Sequence, residues 1–383
     1  MEVEVLKTLF ETYNEKRLFH RYITNNHIEP MLKKLGDYID IEKIGESVLK
    51  KPIHGIKIGH GVKKILMWSQ MHGNESTTTK AIFDLLNTLL NENKETSHIL
   101  STCTIYIIPI LNPDGAEAYT RVNANSVDLN RDAQLLSQPE SKLLRQVFNE
   151  FQPHFCYNLH GQRTIFSAGN SNYPATVSFL SPAQDEKCTI TSNRKVAMEI
   201  ISVMNDTLQE LIPNQVGVYD DAFNINCVGD TFQNFNVPTI LFEAGHYSND
   251  YEREQTRKYI YISLLKSIDY ISKNEIDGSN YLPYLNIPEN EKLFFDIIIR
   301  NAKLDSKEDL TDIGILYQEI LKDDKVEFIP KIENIENLKG FFGHKEIDAK
   351  GYKVVNEQNQ MLKVASENVF VTINNEIFSL LLK

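Results

Sequence analysis

The sequence lacks the apolar runs that a membrane helix demands. Its longest, such as Ile105 to Leu111, are about seven residues, far short of the roughly 20 needed to span a bilayer. Clustered basic charge is missing as well. With 40 Lys and Arg against 52 Asp and Glu, the formal net charge is -12, which argues against nucleic-acid and anionic-membrane partners. Cysteine is sparse: Cys103, Cys156, Cys188 and Cys227 show no C-x-x-C spacing, so neither a thiolate zinc site nor a disulfide framework is suggested. The segment Met1 to Lys7 is acidic and has no basic start, apolar stretch or small-residue cleavage site, so the expected location is the cytoplasm. No internal repeat or low-complexity segment is present, and nothing reads out an oligomeric state. What remains is the composition of an ordinary folded protein: 383 residues, 42% hydrophobic, enough for one large domain and a small one.

From Lys63 to Lys273, short β-branched runs alternate with longer helical patterns, the mark of an α/β domain with a largely parallel central sheet covered by helices. Residues 64–71, 102–110, 154–159 and 237–242 read as strands. Ala81, Ile82, Leu85, Leu86, Leu89 and Leu90 fall at helical spacing, as do residues 143–151, 196–211 and 251–272. Before Lys51 one or two helices and a short strand are expected. The polar stretch Lys273 to Asn280 reads as a linker, so residues 1–274 form the expected catalytic domain and residues 281–383 a small β-rich C-terminal domain. In the latter, residues 294–299, 313–320, 326–329, 360–364 and 369–373 are β-prone, with Asp323-Asp324-Lys325 as a hairpin turn.

His72-Gly73-Asn74-Glu75 lies between a predicted strand and a predicted helix, where the turn can aim both side chains beyond the strand's C-terminal edge at one ion. His160, in Asn158-Leu159-His160-Gly161, ends another predicted strand. Two imidazoles and a carboxylate leave one tetrahedral position for water, the pattern of catalytic zinc. Asn112-Pro113-Asp114-Gly115 is a turn signal after the strand at 102–110. Beyond it, Arg121 and then Asp128-Leu129-Asn130-Arg131 lie on a loop from the same sheet edge, where a guanidinium fork can bind a carboxylate or an oxyanion. Glu243 ends the apolar run Val237 to Phe242. A carboxylate there is poorly explained by packing.

In this order the motifs resemble those of the zinc carboxypeptidases, the M14 metallopeptidases, over about residues 55–273. The resemblance implies Zn2+ held by His72, Glu75 and His160, with Glu243 as general base and Arg121 polarising the scissile carbonyl. It further implies that Asn130 and Arg131 grip the substrate's terminal carboxylate, that Tyr219 is the nearest match to a substrate-capping tyrosine, and that Asp230 matches an aspartate of the substrate loop. The expected enzyme is a metallocarboxypeptidase, with a peptide bearing a free carboxylate as its partner. Two positions depart from the pattern. Asn158 stands where relatives often carry an acidic residue, and Gly229, beside Asp230, supplies no charge to select a side chain. His-Gly-Asn-Glu also resembles the metal motif of aspartoacylases and succinylglutamate desuccinylases, so an N-acyl amino acid deacylase is the alternative. A module that only binds C-termini is a third reading, one that has no use for Glu243.

Overall fold

The computed structural model describes residues 1–37, 39–91, 93–304 and 309–382. The chain divides into two compact units, Met1–Gln162 with Ala175–Asn290, and Arg163–Pro174 with Glu291–Lys383. Lys383, the end of the expected C-terminal domain, lies outside the described residues.

The first unit is built on eight strands: β1 (Asp40–Glu46), β2 (Pro52–Ile58), β3 (Lys63–Ser69), β4 (Cys103–Ile108), β5 (Phe155–Gly161), β6 (Val177–Leu180), β7 (Val216–Val218) and β8 (Thr239–Ala244). Across the sheet they run β1-β2-β4-β3-β5-β8-β6-β7. The centre, β4-β3-β5-β8, is parallel, while β1-β2, β2-β4 and β8-β6 are antiparallel. Nine helices accompany it among the described residues: α1 (Val3–Tyr13), α2 (Asn25–Leu35), α3 (Thr77–Leu90), α4 (Ser97–Thr102), α5 (Pro113–Ala118), α6 (Pro139–Phe151), α7 (Ser192–Gln209), α8 (Val228–Asn234) and α9 (Glu254–Lys273).

Side chains alternate across a strand, and here the alternation sorts residues into two cores. Ile65 and Met67, Ile105 and Ile107, Tyr157 and Leu159, and Ile240 and Phe242 pack with residues of α1, α2, α3, α7 and α9. Leu66, Trp68, Ile108 and Cys156 face the other way, against Leu144 and Phe148 of α6 and Val228 and Phe232 of α8. By the same alternation His160 and Glu243 belong to the α6/α8 face, and they are direct partners in the β5–β8 register. On the opposite face, buried Arg257 of α9 pairs with Asp84 of α3 at 2.6 and 2.7 Å and donates to the carbonyls of Glu15 and Leu18, fixing the chain between α1 and α2.

Short elements escape the sequence reading: β6 and β7 have four and three residues, too few to show a period. β2 lies beyond the one short strand expected before Lys51. No helix among the described residues is long and apolar enough to cross a membrane.

The second unit holds a sheet of β9 (Phe294–Ala302), β10 (Thr311–Lys322), β11 (Lys325–Glu336) and β12 (Phe342–Asp348), in the order β11-β10-β9-β12. The β10–β11 turn is the expected hairpin, with positive φ at Asp323 and Asp324 as a two-residue type I′ turn requires. A three-stranded sheet follows from β13 (Val354–Val355), β14 (Phe370–Ile373) and β15 (Glu376–Ser379). Residues 360–364 form no strand; Met361 makes one isolated bridge to Val355. Residues 281–290 pack in the first unit, where Tyr284 and Ile287 join the larger core, so the second unit resumes at Glu291. It also takes in residues 163–174, a non-local pairing without a local sequence signal.

Candidate metal centre

The chain leaves β3 through Gln70, whose positive φ of 44° turns it sharply toward α3. Such a conformation costs a non-glycine residue on the order of 1 kcal/mol and needs support. The Gln70 amide supplies part of it, donating to the Ile23 carbonyl at 3.0 Å and the Gly73 carbonyl at 2.8 Å. The rest comes from Asn112-Pro113-Asp114-Gly115. Asn112 caps α5 by accepting from the Gly115 amide at 2.9 Å, Pro113 takes the first turn, and the Asn112 amide donates to the Met71 carbonyl at 3.1 Å. The motif expected as a turn is therefore a helix start that grips the metal-bearing loop. At Gly73 the two backbones meet so closely that a Cβ would stand 1.9 Å from the Gly115 carbonyl carbon. Glycine is obligatory there.

This loop delivers His72 and Glu75, and β5 delivers His160. One ligand atom from each lies within 4.8 Å of the others. His72 Nδ1 is 3.0 Å from Glu75 Oε1 and 3.0 Å from His160 Nδ1, while His160 Nδ1 is 2.9 Å from Glu75 Oε2. Two imidazole nitrogens that close, both buried, share at most one proton, so their lone pairs converge on a point suited to a cation. The Gly161 amide donates to Glu75 Oε2 at 3.0 Å and fixes the carboxylate. These residues fit zinc: two imidazole nitrogens and one carboxylate.

Asp128, a residue given no role from sequence, organises the surroundings. Its Oδ1 receives His72 Nε2 at 2.9 Å, which leaves the Nδ1 lone pair of His72 for a metal. The same oxygen caps the turn at Asn130, and Oδ2 accepts from Arg121 Nε at 3.0 Å. Arg121 is 48% exposed and reaches Glu75 Oε1 at 3.4 Å, so it sits at the rim of the cluster.

Charges follow from these contacts. Burial opposes ionisation of Glu75, but the adjoining His72 and His160 outweigh it and hold the carboxyl well below its usual range. Burial likewise opposes the Asp128 charge and is overcome by His72 and Arg121. His72 is pushed up by Glu75 and Asp128 against its own burial, whereas burial pulls His160 down. Glu243 moves the other way from Glu75: burial first and the Glu75 charge second raise it well above an ordinary glutamate, with Arg121 and Arg253 offsetting a part. Its Oε2 is buried without a hydrogen-bond partner.

The remaining expected residues stand in a second ring. Asn130 Oδ1 accepts from the Val228 amide at 3.0 Å, so half of its amide anchors α8. Exposed Arg131 donates to the Asn130 carbonyl at 2.8 Å. Asp230, in the first turn of α8, accepts from the Asn224 amide at 3.2 Å, and burial raises its carboxyl to about 6. Tyr219 follows β7, and burial and then the charges of Glu243 and Glu75 raise its hydroxyl. The structure thus brings His72, Glu75, His160 and Arg121 into direct contact, and places Glu243 beside His160 in the sheet.

A sequence model of the zinc carboxypeptidases matches residues 24–269. Carboxypeptidase 2 of Trichophyton rubrum is 30% identical over 114 residues, 29% of this chain and 20% of that protein. Mouse (Mus musculus) carboxypeptidase M is 27% identical over 177 residues, 38% of this chain and 40% of that one. The chain therefore spans well under half the length of these curated relatives. Among solved structures, carboxypeptidase A from Helicoverpa armigera superposes with a TM-score of 0.52 at 15% identity, over 70% of this chain and 80% of the other. A metallo-carboxypeptidase from Burkholderia cenocepacia superposes with the same TM-score of 0.52 at 14% identity, over 65% and 70%. These two likenesses speak for the fold. With the match to the family model covering the sheet, the metal-bearing turns and most of α9, the chain belongs to the zinc carboxypeptidase family.

Proposed function

We propose that the protein is a zinc metallocarboxypeptidase that hydrolyses a C-terminal peptide bond. The observation that carries this reading is the convergence of His72 Nδ1, His160 Nδ1 and the Glu75 carboxylate, with Glu243 the register partner of His160. Zinc held by the three ligands would supply Lewis acidity and a water acidified toward neutrality. Glu243, with an unpartnered oxygen and a raised affinity for its proton, is suited to take a proton from an attacking water and return it to the leaving amine. Arg121, half-exposed at the rim, can turn from Glu75 toward an oxyanion developing on the scissile carbonyl. Asn130 keeps its Nδ2 for the substrate while its Oδ1 anchors α8, and Arg131 adds a permanently charged fork for the terminal carboxylate. Tyr219 would close over the bound chain end, and Asp230 would shape the same loop.

The test is a panel of free-acid peptides, their C-terminal amides and N-acyl amino acids, offered to the zinc-loaded protein. Amidation removes the charge that Arg131 binds and should lower kcat/KM by about 10²-fold or more, in keeping with roughly 3 kcal/mol for a stranded charge. The loss should shrink in Arg131→Ala. Equal rates for acid and amide on the wild-type protein would end the carboxypeptidase reading. A deacylase of N-acyl amino acids is the second reading, resting on the likeness of His72-Gly73-Asn74-Glu75 to the deacylase metal motif. Turnover of N-acyl amino acids alone would establish it.

A further inference from the structure

Beyond their last ladder pair, Gly161 with Ala244, β5 and β8 are joined by one more backbone bond, from the Gln162 amide to the Ala244 carbonyl at 3.0 Å. There the strands part. Arg253 sits across the parting. Its Nη1 donates to the Ala244 carbonyl at 2.8 Å and its Nη2 to the Gln162 carbonyl at 3.0 Å. One planar guanidinium thus spans the two strand ends that carry His160 and Glu243. The residue is 2% exposed, so water has little room to take over these bonds.

Its placement is held from behind. Arg253 adopts φ 60° as the residue before α9, its amide bonds to the Asp250 carbonyl at 3.0 Å, and the Asp250 carboxylate takes the amides of Glu254 and Thr256 at 2.8 and 2.9 Å. A buried guanidinium is a costly way to finish a sheet, because its charge must be desolvated. Plain backbone pairing would close the sheet without it. What the cation adds is a fixed separation between the strands just beyond the reactive groups. Misplacing a reacting group by about 1 Å can cost on the order of 10²-fold in rate.

We infer that Arg253 is a positioning residue, whose guanidinium staples the ends of β5 and β8 and sets the spacing of Glu243 from His160. The inference rests on the reading of Glu243 as general base. Lys cannot replace it, since a single ammonium lacks the planar fork that reaches both carbonyls at once.

Arg253→Lys and Arg253→Met are compared with wild type in zinc content, steady-state kinetics and hydrogen exchange at the Gln162 amide. The expected result is unchanged zinc content and KM within about twofold. With it, kcat should fall roughly 10-fold in Arg253→Lys and about 10²-fold in Arg253→Met, and Gln162 exchange should be faster in both. Three results would overturn the inference: wild-type kcat in Arg253→Met, a kcat loss that only tracks the folded fraction, or Gln162 exchange unchanged in both variants. If the wild-type protein hydrolyses none of the panel, the reading of Glu243 fails, and the Gln162 exchange still decides whether the staple exists.

Discussion

The turn after β3 and the end of β8 each bring one glutamate to the same site, and their surroundings treat the two in opposite ways. Glu75 meets two imidazoles, a backbone amide and a guanidinium, and is held ionised. Glu243 is half-buried beside the charge of Glu75, its Oε2 has no partner, and its proton is held more tightly. A carboxylate saturated with cationic and donor partners is a ligand. One that is desolvated and left with a vacant lone pair is a proton carrier. Sites that push two like groups apart in this way divide labour between them.

Replacing each glutamate by glutamine should separate the roles. Glu243→Gln is expected to lower turnover by about 10²-fold to 10⁴-fold with zinc content unchanged. Glu75→Gln should lose turnover together with zinc. Elemental analysis beside kinetics distinguishes the pair, and equal zinc loss in both variants would erase the division of labour.

This contrast was partly legible in the sequence. His72, Glu75, His160 and Glu243 all sit at strand ends, where a local pattern of apolar run and sudden polar residue marks the C-terminal edge of a parallel sheet. The fold class followed from the same alternation. Asp128 was not legible as the partner of His72, because 56 residues separate them and only the folded loop closes the contact. Asn130 was read as a substrate contact, yet its Oδ1 anchors Val228, 98 residues away. Asn112-Pro113-Asp114-Gly115 could be read as a turn or as a helix start, since Pro and Asx residues open both. The passage of residues 163–174 into the second unit depends wholly on long-range pairing.

The two histidines sharpen the comparison on a smaller scale. His72 is oriented by a side-chain carboxylate, while His160 is oriented by its strand and its Nε2 is buried without a partner. Asp128→Asn keeps the shape and weakens the hold on His72, so zinc affinity should fall about 10-fold to 100-fold. Competition with a chelator measures this. Wild-type affinity in that variant would mean that the loop, and not Asp128, orients His72.

The smallest expected effect lies in the stability of the metal-free protein, where the two glutamates should differ in sign. For Glu75 the folded carboxyl is held below the ordinary value of 4.5. Its contribution is therefore present above that pH and is lost as the pH falls through the lower folded value. For Glu243 the folded carboxyl is raised above the same 4.5, so the unfolded chain gives up its proton first. Stability is then withdrawn as the pH rises beyond that point. Glu243→Gln removes the burden, and the metal-free variant should melt higher than metal-free wild type at pH 7.5, by about 2–4 °C for each kcal/mol relieved. At pH 4 the gain should vanish, because Glu243 is then protonated in the folded protein and mostly so in the unfolded one. Glu75→Gln should melt below wild type at pH 7.5 and by no more than that at pH 4, its deficit fading in stronger acid. Melting curves of the three chelated proteins at the two pH values decide it. Shifts of the same sign for both variants would show that the two carboxylates share one environment, and the assignment of one as ligand and the other as base would lose its physical ground.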